Sequence, residues 1–145
     1  MPYQLMYSSR AVERMTAASL EQILDDAREG NKARGVTGVL IYADGVFMQI
    51  LEGDEGVVRE VMASIERDSR HDAVKVFHES SVEKRAFGSW SMAYLTPSGE
   101  EMARWAGLEG TQSIERVLAH VHADPSRVPA VLLSIVDALA SSRTV

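Results

Sequence analysis

Residues 36–53 read Val36-Thr37-Gly38-Val39-Leu40-Ile41-Tyr42-Ala43-Asp44-Gly45-Val46-Phe47-Met48-Gln49-Ile50-Leu51-Glu52-Gly53. Asp44-Gly45 stands between two β-branched or apolar runs, Val36–Tyr42 and Val46–Leu51. An Asp-Gly in that setting suits a tight hairpin, whose two central residues both need positive φ. Neither run alternates with polar residues, so both strands are expected to be central and covered for most of their length.

Upstream of the hairpin, Leu20, Ile23, Leu24 and Ala27 recur at i, i+3, i+4 and i+7, one face of a helix. Ser19 with Gln22 has capping-box spacing, and Thr16 would cap a slightly longer helix. Gly30 and Gly35 bracket the exit, which places the helix end near residues 29–32. Before it, residues 3–8 (Tyr-Gln-Leu-Met-Tyr-Ser) read as a strand. Downstream, Asp54 starts a second helix striped by Val58, Val61, Met62 and Ile65. Residues 68–72 are a polar connection, and 73–82 and 86–95 read as two strands. On the latter, Trp90, Met92 and Tyr94 share one face, and Ser89, Ser91 and Ala93 the other. After Pro97-Ser98-Gly99, short helices are expected near 99–106 and 112–122. A final helix runs from Asp124-Pro125 to residue 140, with Val131, Leu132, Ile135, Val136 and Leu139 apolar.

The order is therefore βαββαββ followed by helices. The fold class is α+β: a ferredoxin-like βαββαβ sheet with an extra fifth strand and two helices on one face. The C-terminal helices are expected to cap the other face, because their apolar stripes need a surface to cover.

Composition narrows the function. The chain has 145 residues, 46% hydrophobic and 25% charged, as in an ordinary globular domain. With 15 Lys+Arg against 21 Asp+Glu, the net charge is −6, which argues against a nucleic-acid surface. There is no cysteine, so disulfides, thiolate metal sites and cysteine nucleophiles are excluded. The four histidines form no ligand cluster, which speaks against a metal enzyme. No run approaches the roughly 18 apolar residues of a membrane span, and no signal peptide opens the chain, so a cytoplasmic location is expected.

Several residues sit oddly for a simple core. Gln49 interrupts an apolar strand, and an unpaired buried amide costs about 1–3 kcal/mol. It is either a core glutamine satisfied by backbone or water, or a polar contact to a ligand on the sheet. Tyr7, on the first strand, is an ordinary core tyrosine or a second such contact. Asn31 is a helix C-cap or a third. Asp68 and Arg70 read most simply as loop charges, and Trp90 and Met92 as core. Tyr7, Asn31 and Gln49 nonetheless bring hydrogen-bonding groups to one layer from three elements. No nucleophile–base set or glycine-rich phosphate loop accompanies them. That pattern suggests binding of a planar, polar-edged ligand rather than covalent catalysis.

Five strings together carry a resemblance: Leu5-Met6-Tyr7-Ser8-Ser9; Asn31 to Leu40; Phe47-Met48-Gln49-Ile50-Leu51-Glu52-Gly53; Asp68-Ser69-Arg70-His71; and Arg85 to Met92. In order and spacing over residues 3–95 they resemble the BLUF family, blue-light sensors using FAD. The resemblance implies a flavin between the first two helices. It makes Tyr7 the photoactive tyrosine and Gln49 its bridge to the flavin. Asn31 would hold the carbonyl edge of the ring, and Asp68, Arg70 and His71 would lie at the other edge. Trp90 and Met92 would be the last-strand pair linked to output. Gly30 and Ser64 stand where other members carry a polar residue and an arginine. FMN or riboflavin are therefore possible substitutes for FAD.

On this reading residues 1–97 are the flavin-binding domain and 98–145 a helical extension packed on it. The chain is expected to be a homo-oligomeric photoreceptor, not an enzyme, that signals to an unidentified downstream protein. It would bind neither nucleic acid nor membrane. The alternative is a small flavin-dependent redox enzyme on the same fold. An acylphosphatase-like fold has Arg10 but lacks the phosphate-cradling loop.

Overall fold

The computed structural model describes residues 1–88, 90–108 and 113–143, with backbone alone for 138–143. Strands β1 (Tyr3–Ala11), β2 (Thr37–Ala43), β3 (Val46–Gly53), β4 (His71–Ser81) and β5 (Ala93–Leu95) form one sheet in the order β4-β1-β3-β2-β5. The first four pair antiparallel, and β5 adds parallel to β2 through Val39↔Ala93 and Ile41↔Leu95. Helices α1 (Ala17–Arg34) and α2 (Glu55–Glu66) form the crossovers; α3 (Gly99–Trp105), α4 (Ile114–Ala123) and α5 (Val128–Arg143) follow the sheet. This is the expected ferredoxin-like arrangement with a fifth strand.

Local chemistry sets the hairpin. Asp44 and Gly45 have φ of 47° and 78°, the paired left-handed residues of a tight primed turn. That turn brings Ala43 opposite Val46 and fixes the register through Thr37↔Glu52. At Gly38 the backbones approach so closely that a Cβ would lie 1.8 Å from the Ile50 carbonyl oxygen.

Because both faces of the sheet are covered, alternate residues of β1 and β3 enter different cores. Tyr3, Leu5, Tyr7, Phe47 and Leu51 meet Leu24 of α1 and Val58, Val61 and Met62 of α2. Met6, Val46, Met48 and Ile50 meet Met102 of α3, Val117 and Val121 of α4, and Leu132 and Val136 of α5. The C-terminal helices thus cap the second face.

Three expectations are corrected. First, α1 does not stop near residues 29–32. Thr16 caps its start, accepting from the Ser19 N–H at 3.0 Å, and the helix continues through Gly30 to Arg34. Gly35, at φ 70°, ends it: its N–H reaches the Lys32 carbonyl while the Val36 N–H reaches that of Asn31. This is the six-to-one and five-to-two pairing of a Schellman stop, so only the second glycine breaks the helix.

Second, of the strand expected over 86–95 only Ala93–Leu95 joins the sheet. Upstream, side chains and turns take the backbone groups a ladder would have used. The Ala86 and Phe87 N–H groups donate to the Glu52 carboxylate at 2.8 and 2.7 Å, and the Trp90 N–H closes a turn onto Phe87. Third, Trp90 and Met92 consequently do not share a face. Met92 is buried in the α1/α2 layer, whereas Trp90 packs against the layer of the C-terminal helices. Ser89, residue 112 and the Leu139 side chain lie outside the described residues.

Candidate functional site

Between the sheet and helices α1 and α2 lies a cavity of about 270 Å³. Its floor is Tyr7 from β1, Leu40 from β2, and Phe47 and Gln49 from β3; Ala27, Asn31, Val61 and Ile65 line its sides. β1 and β3 place Tyr7 directly opposite Gln49. Both side chains point to the helix face, and the Tyr7 hydroxyl donates to Gln49 Oε1 at 2.5 Å. Gln49 Nε2 donates in turn to the Met92 sulfur at 3.4 Å. The Tyr7 hydroxyl is held well above its ordinary pKa, by burial first and by the Asp68 carboxylate second, so it remains a protonated donor at neutral pH.

A carboxamide has two N–H donors and a carbonyl with two lone pairs. One donor and one lone pair of Gln49 are committed to Met92 and Tyr7, and the rest face the cavity. Asn31 is 5% exposed, yet its carboxamide has no hydrogen-bond partner among the described residues. The final turn of α1 carries it on the wall of the cavity. Among the described residues the buried side-chain polar atom left without a partner is the Tyr94 hydroxyl, so the spare capacity of the two amides is open to the cavity, where water or a ligand can meet it.

The third side is charged and aromatic. Asp68 grips Arg70 through Nε at 2.9 Å and Nη2 at 2.5 Å, and Arg70 Nη1 reaches Asp26 of α1 at 3.4 Å. Arg70's hydrogen bond is the main reason the Asp68 carboxyl titrates below its ordinary value; Asp68 likewise holds the Arg70 guanidinium up. His71 Nε2 lies 2.6 Å from the Ile65 carbonyl, which only accepts, so that nitrogen carries the proton. Its Nδ1 meets the Ser9 hydroxyl at 2.7 Å. The ring stands edge-on to Tyr7 and Phe47, with centroids at 6.5 and 6.2 Å.

The structure therefore brings Tyr7, Asn31, Gln49, Asp68, Arg70 and His71 to one cavity, and Met92 to its edge. It does not bring Trp90, which lies in the opposite layer. Sequence reasoning missed Asp26, which carries no motif, and Arg34, which lies in the Asn31–Leu40 string but is given no role there; both line the cavity and are exposed. It also missed Glu52, which is 0% exposed and accepts from Gln4 as well as Ala86 and Phe87. The signal was available: a carboxylate at the end of a strand that is apolar but for Gln49 poses the same question as Gln49 does.

The cavity fits a flat fused-ring system. Its volume is near the lower end of small-ligand pockets, about 300–1,000 Å³. The apolar floor and walls suit ring faces, and the two carboxamides suit an edge with both donors and acceptors. Asp26, Gly30, Arg34 and Ser64 are the cavity's exposed lining residues and mark where a longer tail would leave. Among the described residues no three His, Asp or Glu side chains gather as a metal site, and no helix is long and apolar enough to cross a membrane.

Comparison with known proteins places the chain in a family. Residues 3–93 match the family BLUF, described as sensors of blue-light using FAD. The photoactivated adenylate cyclase subunit beta of Euglena longa is 33% identical over 99 residues, which is 68% of this chain and 11% of the cyclase. The subunit alpha of Euglena gracilis is 34% identical over 98 residues, 68% of this chain and 9% of that protein. The chain thus spans about a tenth of the length of these relatives. Among solved structures, BlrB, a BLUF protein in its dark state, superposes with a TM-score of 0.76 at 26% identity, covering 92% of this chain and 96% of BlrB. BlsA in its ground state gives 0.68 at 33% identity, covering 77% and 76%. The chain belongs to the BLUF family of flavin-based blue-light sensors.

Proposed function

We propose that this BLUF-family chain binds one flavin non-covalently in the α1/α2 cavity and that Tyr7 and Gln49 are its photoactive pair. The observation that carries this is the Tyr7–Gln49–Met92 chain, with the spare capacity of Gln49 and Asn31 open to a flat cavity. Asn31 and Gln49 hold the carbonyl edge of the ring, and Asp68, Arg70 and His71 form the opposite wall. FAD is the form named for the family; the absence of an arginine at Ser64 makes FMN and riboflavin acceptable substitutes. The protein should purify yellow with one flavin per chain, released by heat and identified by chromatography. Colourless protein that takes up no added flavin would overturn the proposal.

When bound, flavin supplies the blue absorption and the acceptor for an electron from Tyr7. The chain's own residues do the switching. Tyr7 holds its proton against Gln49 Oε1, so a proton leaving the phenol has one short path. Gln49 can then change orientation or tautomer, because a carboxamide both donates and accepts, and return of the electron and the proton would restore the Tyr7 phenol and the oxidised ring. The two orientations are unequal. With Oε1 toward Tyr7, Nε2 can donate to the Met92 sulfur; with the groups exchanged, the carbonyl faces a thioether that cannot donate. The second arrangement is stored rather than preferred, which makes the switch reversible in darkness.

The same reading treats the chain as a sensor rather than an enzyme, working as a homo-oligomer in the cytoplasm and signalling by protein contact. The segment leading to Met92 carries the change outward, since Met92 touches Gln49 while Trp90 packs against the core that the C-terminal helices share with the sheet. Met92→Ala and Trp90→Ala should keep flavin and much of the red shift. They should also reduce the light–dark difference in hydrogen exchange over residues 98–137. Identical exchange of those residues in dark and light in the unaltered protein would refute this output route.

A further inference from the structure

Strand β1 carries two adjacent serines, each meeting a histidine on a different face of the sheet. Ser9 meets His71 beside the cavity. Ser8, 4% exposed, points the other way, and its hydroxyl lies 3.0 Å from Nε2 of His122 in the last turn of α4. The His122 ring also stacks on Phe77 of β4, with centroids 4.5 Å apart at 33°. A second tie joins the same strand and helix, because Arg10 Nη2 pairs with Glu115 in the first turn of α4 at 2.9 Å. That pair is roughly half exposed and contributes little. The inner contact is the specific one.

Its position is what gives it meaning. Ser8 follows Tyr7 directly, so the two share a peptide unit while their side chains enter opposite layers. The β1–β4 ladder is interrupted on both sides of this dipeptide. The register slips between Met6 and Tyr7, leaving Phe77 as the extra residue on β4, and again between Ser8 and Arg10 near Ala73, whose φ is 52°. Bulges leave a strand bent and locally unpaired. Tyr7–Ser8 is thus a short paired island, opposite Val76 and Lys75, bounded by two irregularities, and His122 rests on the extra residue of the first. Burial and the nearby Lys75 hold the His122 pKa below its ordinary value, so the ring that meets Ser8 is neutral at neutral pH.

We propose that Ser8, Phe77 and His122 form a clasp through which the hydrogen-bonding state of Tyr7 and the docking of α4 bias one another. It rests on the assignment of Tyr7 and Gln49 as the photoactive pair, and it provides a route to the C-terminal helices separate from Met92. A shift of Tyr7 as its bond to Gln49 changes moves the Ser8 hydroxyl against His122, and the coupling acts in both directions.

The test needs no light. Hydrogen exchange of amides 117–123 is followed in darkness in the unaltered chain and in Tyr7→Phe, each with and without Ser8→Ala. Tyr7→Phe keeps the ring and removes only the hydroxyl that bonds Gln49. With the clasp intact it should change α4 exchange by about fivefold or more, the lower range of allosteric coupling. With Ser8→Ala the same change should leave α4 unaltered. His122→Leu repeats the comparison from the helix side, so a folding defect peculiar to either variant is recognised. If Tyr7→Phe leaves α4 exchange unchanged in the intact protein, or changes it equally without the clasp, the proposal is wrong. Absence of a light-induced red shift in the unaltered protein would defeat the photoreceptor reading instead, and the dark comparison would still decide whether the clasp couples the two layers.

Discussion

Gln49→Leu will bind flavin and show no light-induced red shift. Leucine keeps most of the volume and the apolar contact on β3, so the cavity floor survives. What disappears is the side chain that accepts from Tyr7 and donates to Met92. Without it the Tyr7 proton has no short path, and no group can hold two hydrogen-bond patterns. Tyr7→Phe removes the other half of the pair and should also bind flavin and lack the normal shifted state. The effect expected in both is loss of the signal, not its reduction. Flavin retention by chromatography, with absorption spectra before and after blue light, checks each. A normal shift in Gln49→Leu would refute the assignment of Gln49.

Glu52→Ala will be the most destabilising single change at a polar position outside the cavity. The carboxylate is 0% exposed and accepts from Gln4 Nε2 at 3.0 Å and from the Ala86 and Phe87 N–H groups at 2.8 and 2.7 Å. Truncation strands those three donors and opens a void beside Phe87, which is also 0% exposed. A buried group that loses its partner costs about 1–3 kcal/mol, and hydrogen bonds to a charged acceptor sit at the upper end. A loss of about 3 kcal/mol or more is expected, in the range reached only by such named defects. Glu52→Gln should cost less, because one carbonyl oxygen remains, but an N–H₂ group then faces a backbone N–H. Denaturant midpoints measure both. Glu52 lies on the face opposite the cavity, so the folded fraction of either variant should still take up flavin. A Glu52→Ala midpoint equal to that of the unaltered protein would contradict this account of how the segment before β5 is held.

What the sequence makes legible is what depends on neighbours in the chain. The Asp44-Gly45 turn, the stripes of α1 and α2 and the βαββα order of elements along the chain follow from local periodicity and turn chemistry. The end of α1 does not, because Gly30 and Gly35 look alike and differ only in backbone conformation. The strand expected over 86–95 fails for a similar reason. Trp90 and Met92 have strand spacing, but a carboxylate 34 residues upstream captures the backbone of Ala86 that a ladder would need. Tyr7 and Gln49 are each visible as polar intrusions in apolar strands. Their hydrogen bond depends on the register that places them opposite, which β1 and β3 settle only on pairing. Ser8 and His122 lie 114 residues apart and carry no motif, so only the fold reveals their contact.

The absorption spectrum of the purified protein in darkness, during blue light and after return to darkness tests the central claim most directly. If Tyr7 and Gln49 switch around a bound flavin, the flavin bands shift slightly to the red in the light, keep the shape of the oxidised ring and return fully in darkness. Lasting bleaching to a reduced flavin, or no change under saturating blue light in protein that retains its pigment, would contradict it.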